Sequence, residues 1–116
     1  MKKLIYLLLL FPTLLFGFSW SLLGEYHHSG WSYSLNTYIN YAKVFNSGTI
    51  RALWSAEIHA SEYFDNSNGN IKAGDLIIVA PNIESPQDKE MGLVCWKNSF
   101  ILNGNNINYH DPRCKS

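Results

Sequence analysis

Residues 31 to 61 read WSYSLNTYINYAKVFNSGTIRALWSAEIHAS and carry the clearest pattern in the sequence. Side chains alternate between the two faces of a strand, so an apolar residue at every second position marks a strand with one buried face. The apolar residues fall on odd positions before Asn46 and on even positions after Gly48. A tight turn at Ser47-Gly48 would place both sets on one face. We therefore predict an antiparallel hairpin with three opposed pairs: Phe45 with Ile50, Tyr41 with Trp54, and Leu35 with Ala60.

The second arm of this stretch also fits a helix. Ile50, Leu53, Trp54 and Ile58 recur at a spacing near 3.6, and the segment contains good helix formers. The alternative prediction is therefore an α+β fold with a helix over about residues 50–64.

The C-terminal half adds further strand signals. The run from Leu76 to Ala80 lies between Gly74-Asp75 and Pro81, which predicts a central strand buried on both faces. A strand is expected from Gly92 to Lys97. The pair Asn103-Gly104 predicts a hairpin that sets Phe100 opposite Ile107. No internal repeat is evident, and we predict a mainly β fold: one small domain, residues 20–116, of five to seven antiparallel strands in a sandwich or open barrel.

The N-terminus has the three parts of a secretory signal peptide: two lysines, an apolar run from Leu4, and the small residues Gly17 and Ser19. We predict a signal peptide over residues 1–19, cleavage after Ser19, and export to the periplasm or the medium. The alternative is an uncleaved signal that anchors the chain in a membrane.

Cys95 and Cys114 are the two cysteines, and both lie beyond the signal segment. Exported domains of this size often rely on disulfide bonds, because their cores are small. We predict one disulfide bond that ties the C-terminal tail to a strand.

The net charge of the chain argues against partners that are bound mainly through their negative charge. Without residues 1–19 the chain has seven basic and nine acidic side chains, a net charge of −2. Such a balance predicts no nucleic acid and no anionic lipid as partners. No motif for a metal, a cofactor or a catalytic nucleophile is present, so we assign no metal site, no cofactor and no catalytic residues.

Aromatic residues are the remaining functional signal, since a small core cannot completely bury the four Trp and six Tyr that lie beyond residue 19. The candidate binding aromatics are Trp20, Trp31, Tyr38 and Trp96. We predict a protein-binding module, inhibitor-like or an accessory of the cell envelope. One alternative is a glycan-binding module that uses exposed Trp and Tyr. A weaker alternative is a small hydrolase that uses Glu57 and His59, which would share one face of a strand.

Overall fold

The computed structural model describes residues 24–114, which leaves the predicted signal peptide and Trp20 outside the described residues. Strands dominate this range, and within it no α-helix occurs. The six strands are β1 (Glu25–His28), β2 (Trp31–Asn46), β3 (Thr49–Asp65), β4 (Asn70–Val79), β5 (Leu93–Leu102) and β6 (Asn105–Asn106). Two 3-10 turns span Lys89–Met91 and Pro112–Cys114. No helix in the described range is long and apolar enough to cross a membrane.

The strands form one sheet in chain order, and the first five pair in parallel. Only β6 is antiparallel to its neighbour. Consecutive parallel strands require the chain to circle back before each new strand, so the fold is a β-solenoid-like stack of coils. The prediction of an antiparallel sandwich or barrel was wrong. The alternation of apolar and polar residues indicates which side chains are buried. It does not indicate strand direction, because parallel strands and antiparallel hairpins show the same alternation.

The predicted hairpin at Ser47-Gly48 was therefore wrong as well. Trp31 pairs with Thr49 and Tyr41 pairs with Ala60, in parallel register. The alternative helix over 50–64 was also wrong, because β3 is extended throughout. Gly48 lies close under the previous turn: a Cβ there would lie 2.3 Å from the Gly30 carbonyl oxygen. The turns thus stack on one another instead of reversing the chain.

The face predicted from β3 was mostly correct. Ile50, Ala52, Ile58 and Ala60 are buried at 2% exposure or less, whereas Trp54 is 58% exposed. In β2, Ile39 is the one residue of the predicted odd-numbered face that is buried: Trp31, Tyr33 and Leu35 are exposed, and Tyr41 and Phe45 are only partly buried. After a second register shift beyond Tyr41, the buried residues are the even-numbered Ala42, Val44 and Asn46.

A corner explains these departures from strict alternation. The register between β2 and β3 shifts after Ser34, and that between β3 and β4 shifts after Ala52. Bulges of this kind bend a strand and turn neighbouring side chains outward. Leu53 and Trp54 are both exposed at the bend. At the same corner of β4, a Cβ on Gly74 would lie 2.7 Å from the Trp54 carbonyl oxygen, so glycine allows the close approach.

The core consists of ladders of aliphatic side chains stacked from coil to coil. Ile50, Ile71 and Val94 follow one another on β3, β4 and β5 through their register. A second ladder contains Ile39, Ile58, Ile78 and Leu102. The prediction that β4 is buried on both faces was wrong, because Val79 on its outer face is 37% exposed.

Buried asparagines occupy one turn of successive coils. The Asn46 side-chain amide donates to Asn66 Oδ1 over 2.7 Å, and Asn66 Nδ2 donates to the Met91 carbonyl over 2.7 Å. The second bond satisfies a backbone carbonyl that would otherwise be left unpaired inside the protein, and the first links the asparagines of two successive coils. Asn46 and Asn66 thus each bond to the coil that follows.

The C-terminal hairpin prediction was confirmed. Asn103 and Gly104 have positive φ angles of 49° and 83°, the backbone of a type I′ turn. The Ile107 N–H donates to the Phe100 carbonyl over 2.9 Å, so the two residues lie opposite each other.

The predicted disulfide bond was also confirmed. Cys95 and Cys114 are bonded with an S–S distance of 2.04 Å and a Cα–Cα distance of 5.6 Å. The Trp96 indole N–H donates to the Tyr109 carbonyl over 3.0 Å, which fastens the tail further. The tail therefore covers the outer side of β5, the last long strand of the solenoid.

Candidate functional site

The two ends of the solenoid differ in how their sheet edges are covered. At the C-terminal end, β6 and the disulfide-bonded tail lie against β5. At the other end, β1 pairs only with residues Lys43 to Asn46 of β2. Among residues 24–114, no strand pairs with the outer edge of β2 from Trp31 to Tyr41. This open edge is the first candidate for a binding surface.

Exposed apolar side chains lie beside the open edge and form what we call the edge patch. Its members are large apolar residues that are roughly half exposed or more: Trp31 (72%), Tyr33 (58%), Leu35 (47%), Leu53 (48%) and Trp54 (58%). Trp31 and Tyr33 alternate on the outer face of β2. The register places Leu35 beside the Leu53-Trp54 bend of β3, since Ser34 pairs with Ala52 and Asn36 with Ser55. The patch is therefore continuous around the first corner.

The edge also lacks the charges that usually protect a strand edge from pairing. Natural proteins place Lys, other charges or Pro on open edges. The sequence from Trp31 to Tyr41 contains neither charge nor proline. Arg51 on the neighbouring strand β3 places a cation beside this edge: its guanidinium lies 5.7 Å from the centre of the Tyr33 ring. Nothing in this segment opposes the approach of another strand.

The predicted binding aromatics separate in the structure. Trp31 belongs to the edge patch, whereas Tyr38 lies past the corner, 63% exposed, with its ring 5.7 Å from that of His59. Trp96 is only partly exposed, and its ring stacks on His110 at 3.8 Å. Trp20 lies outside the described residues. Of the three that the structure describes, Trp31, Tyr38 and Trp96, no two lie together, and the remaining members of the patch come from other positions.

Glu57 and His59 lie on the same outer face, as their spacing predicts. Glu57 Oε2 is 2.5 Å from His59 Nε2, and the two side chains are 41% and 32% exposed. A carboxylate so placed can orient an imidazole. Both cysteine thiols are consumed in the disulfide bond. The structure therefore shows a partly exposed histidine that is oriented by a carboxylate. The hydrolase alternative itself stays a prediction.

A cleft of about 610 Å³ lies where the tail meets β4 and β5. Its lining includes the disulfide bond, Trp96, His110 and two lysines, Lys72 and Lys97. Within the described range, no group of three or more His, Cys, Asp or Glu side chains is gathered that could hold a metal ion.

Asp111 lies in the tail beside this cleft and is paired with Arg113. The Arg113 guanidinium donates to both carboxylate oxygens, the closest contact being 2.5 Å, and also to the Gly92 carbonyl over 3.3 Å. The hydrogen bonds from Arg113 hold the pKa of Asp111 below its ordinary value. A lowered pKa means that the ionised carboxylate is favoured in the folded protein, so this contribution to stability is present at neutral pH and is lost as the pH falls through the lowered pKa.

We expect the substitution Arg113→Gln to raise the pKa of Asp111 toward its ordinary value, because the guanidinium hydrogen bonds and charge are removed. An NMR titration of the side-chain carboxyl carbons would measure this shift. An Asp111 titration curve identical in both proteins would contradict the pairing.

The sequence analysis missed Tyr33, Leu35, Leu53 and Trp54 as exposed residues. It assigned Leu35 and Trp54 to a buried face because it extended one alternation through the corner. One signal was present: Leu53-Trp54 places two large apolar residues side by side, which strict alternation does not allow on one face. Such a doublet indicates a bend, and at a bend the side chains turn outward.

No protein-family model matches this chain, and no curated protein and no solved structure matches it.

Proposed function

We propose that this chain is an exported module that binds another protein along the open edge of β2. The carrying observation is the edge patch, which lies beside a strand edge that has no charge and, among residues 24–114, no partner from Trp31 to Tyr41. Large exposed apolar patches are rare on monomeric proteins and mark interaction sites. An unpaired strand edge adds a row of backbone donors and acceptors that an extended segment of a partner can join.

The composition of the edge patch favours protein over sugar as the ligand. Leu35 and Leu53 occupy its centre, and Trp31 and Trp54 lie at its ends. A sugar site needs hydrogen-bonding side chains beside the stacking rings, whereas the core of a protein interface is apolar and rich in aromatic residues. The Tyr33 ring also has Arg51 over it, which gives the patch an aromatic and cationic member of the kind common in interface centres.

Export is the second part of the proposal, and it rests on two observations. The apolar N-terminal segment has the form of a signal peptide, and the Cys95–Cys114 bond is of the kind that persists in oxidising compartments. The partner is accordingly a protein of the cell envelope or the medium.

Site-specific photo-cross-linking in the producing cell tests this function. A photoreactive phenylalanine analogue replaces Tyr33, and a matched control carries it at Lys72, which lies in the same outward row two coils further on. We expect a discrete adduct with a protein partner at position 33, at least tenfold stronger than at position 72. The adduct should disappear when Trp31→Lys is added, because a charge on the edge opposes strand addition. Equal labelling at both positions, or an adduct that survives Trp31→Lys, would count against the proposal.

A further inference from the structure

The edge of β2 contains a segment that reads almost the same in both directions. Residues 31 to 35 are Trp-Ser-Tyr-Ser-Leu, an apolar residue, a serine, a tyrosine, a serine and an apolar residue. Two copies of a segment related by a two-fold axis meet antiparallel, so each residue contacts its mirror position. A pattern symmetric about its centre places residues of the same kind opposite each other in such a contact.

Pairing centred on Tyr33 would match like with like. Tyr33 would lie opposite Tyr33 of the second copy, Trp31 opposite Leu35, and Ser32 opposite Ser34. Aromatic and aliphatic cross-strand pairs stabilise antiparallel sheets. No charge of either sign lies in the segment, so the two copies do not repel each other there.

The backbone of this segment is oriented for such pairing. The Thr49 N–H donates to the Gly30 carbonyl over 2.8 Å, with Trp31 and Thr49 in register. This bond sets the phase of the parallel ladder, in which the groups of successive residues alternate between the two edges. The N–H and C=O of Ser32 therefore face β3, and those of Tyr33 face the open edge. Tyr33 can exchange two hydrogen bonds with its counterpart.

The described part of the chain leaves this segment open. Strand β1 begins opposite Lys43 and ends opposite Asn46. Among residues 24–114, residues 31 to 35 of β2 therefore have no strand partner on their outer edge.

We infer that the occupant of the edge is a second copy of this chain, which joins β2 to β2 antiparallel around a two-fold axis at Tyr33. This deepens the proposed function and rests on it, since it names the partner at the same edge. The β2–β2 contact then joins the sheets of the two copies into one continuous sheet. The open edge of β2 is covered in both copies. A contact of one short strand pair falls below the ~1,200 Å² of a standard interface, so the dimer is weak.

Sedimentation of the exported, disulfide-bonded protein tests the inference. Between about 10 μM and 1 mM, a weak dimer should raise the weight-average mass toward twice that of the monomer. Tyr33→Pro removes the N–H at the open edge, where proline is tolerated, and should keep the protein monomeric. Tyr33→Phe is the matched control and should associate as the wild type does. Trp31→Lys gives a second disrupting variant if the proline variant does not fold.

Trp54→Lys separates strand pairing from general stickiness of the patch. Trp54 lies in the edge patch but on β3, outside the paired segment, so this variant should associate normally. Loss of association in Trp54→Lys, or dimers in both Tyr33→Pro and Trp31→Lys, would overturn the inferred geometry. A wild-type protein that stays monomeric at every concentration would overturn the second copy as partner. The cross-linking at position 33 then still decides whether a different protein uses the edge.

Discussion

Replacing Phe64 by alanine is expected to destabilise the protein by about 3–5 kcal/mol, the usual cost of removing a fully buried phenyl ring. Phe64 has no exposed surface, and its register partner Val44 on β2 is equally buried. Its backbone N–H and C=O are both bonded to the Asn82 side chain at 2.9 Å. The surrounding backbone is therefore held in place, and a cavity left by the ring cannot close easily. Urea unfolding followed by tryptophan fluorescence would measure the loss.

Trp54→Ala is the contrasting control. Burial in a hairpin opposite Tyr41 would make this substitution as costly as that of Phe64. The structure instead leaves 58% of Trp54 exposed at the corner of β3, so we expect a loss under about 1 kcal/mol. A reversed order, with Trp54→Ala the more damaging change, would contradict the corner and the outward turn of the edge patch.

Removing the disulfide bond is expected to cost about 3 kcal/mol. Cys95 and Cys114 are 19 residues apart, and a loop of this length lowers the entropy of the unfolded chain by about that amount in the chain-entropy model. The double variant Cys95→Ser/Cys114→Ser should therefore unfold at a lower urea concentration than the oxidised protein. The wild type treated with a reductant is the matched control and should fall to the same midpoint.

The disulfide variant also has a local signature. The tail is held to β5 by the Trp96 indole and by Arg113, which are exposed contacts of modest strength. Without the disulfide bond, amide exchange should speed up first in residues 107–114 and in the outer edge of β5. An unchanged amide exchange rate in these residues, together with an unchanged urea midpoint, would show that the disulfide bond does not help to hold the tail on β5.

The sequence predicted the content of strands better than their arrangement. The alternation from Ile50 to Ala60 identified the buried face of β3 except at Trp54, and Asn103-Gly104 correctly placed the last hairpin. Both are local properties, fixed by side-chain period and by the φ angles that a turn requires. The direction in which β2 and β3 run relative to each other is not local, and alternation does not depend on it.

A repeat in the sequence would have predicted the parallel stack. Asn46-Ser47-Gly48-Thr49-Ile50 is followed, about twenty positions later, by Asn66-Ser67-Asn68-Gly69-Asn70-Ile71, with one inserted residue. In the structure, Ile50 pairs with Ile71 and Asn46 bonds to Asn66. A period of this length is typical of solenoids. The insertion and the short length of the match hide it from inspection of one sequence.

The candidate site was less accessible to sequence analysis than the fold. Trp31 was identified because it is aromatic, but exposure of Leu35 and Trp54 depends on bulges that only the register reveals. The open edge depends in turn on how far β1 extends along β2. Neither property is encoded by residue type alone.

The number of residues between paired positions is similar in every coil, and this affects how the protein folds. Every parallel strand pairs with residues 18 to 24 positions away in the chain, so each new coil closes a loop of nearly the same length. The entropy of closing a loop grows only slowly with its length, and stacked coils contact mainly their neighbours. Folding can therefore start at the most apolar pair, β3 and β4, and spread outward one coil at a time. By the same logic, a segment of about twenty residues can be gained or lost in evolution as one complete coil, leaving the two ends unchanged.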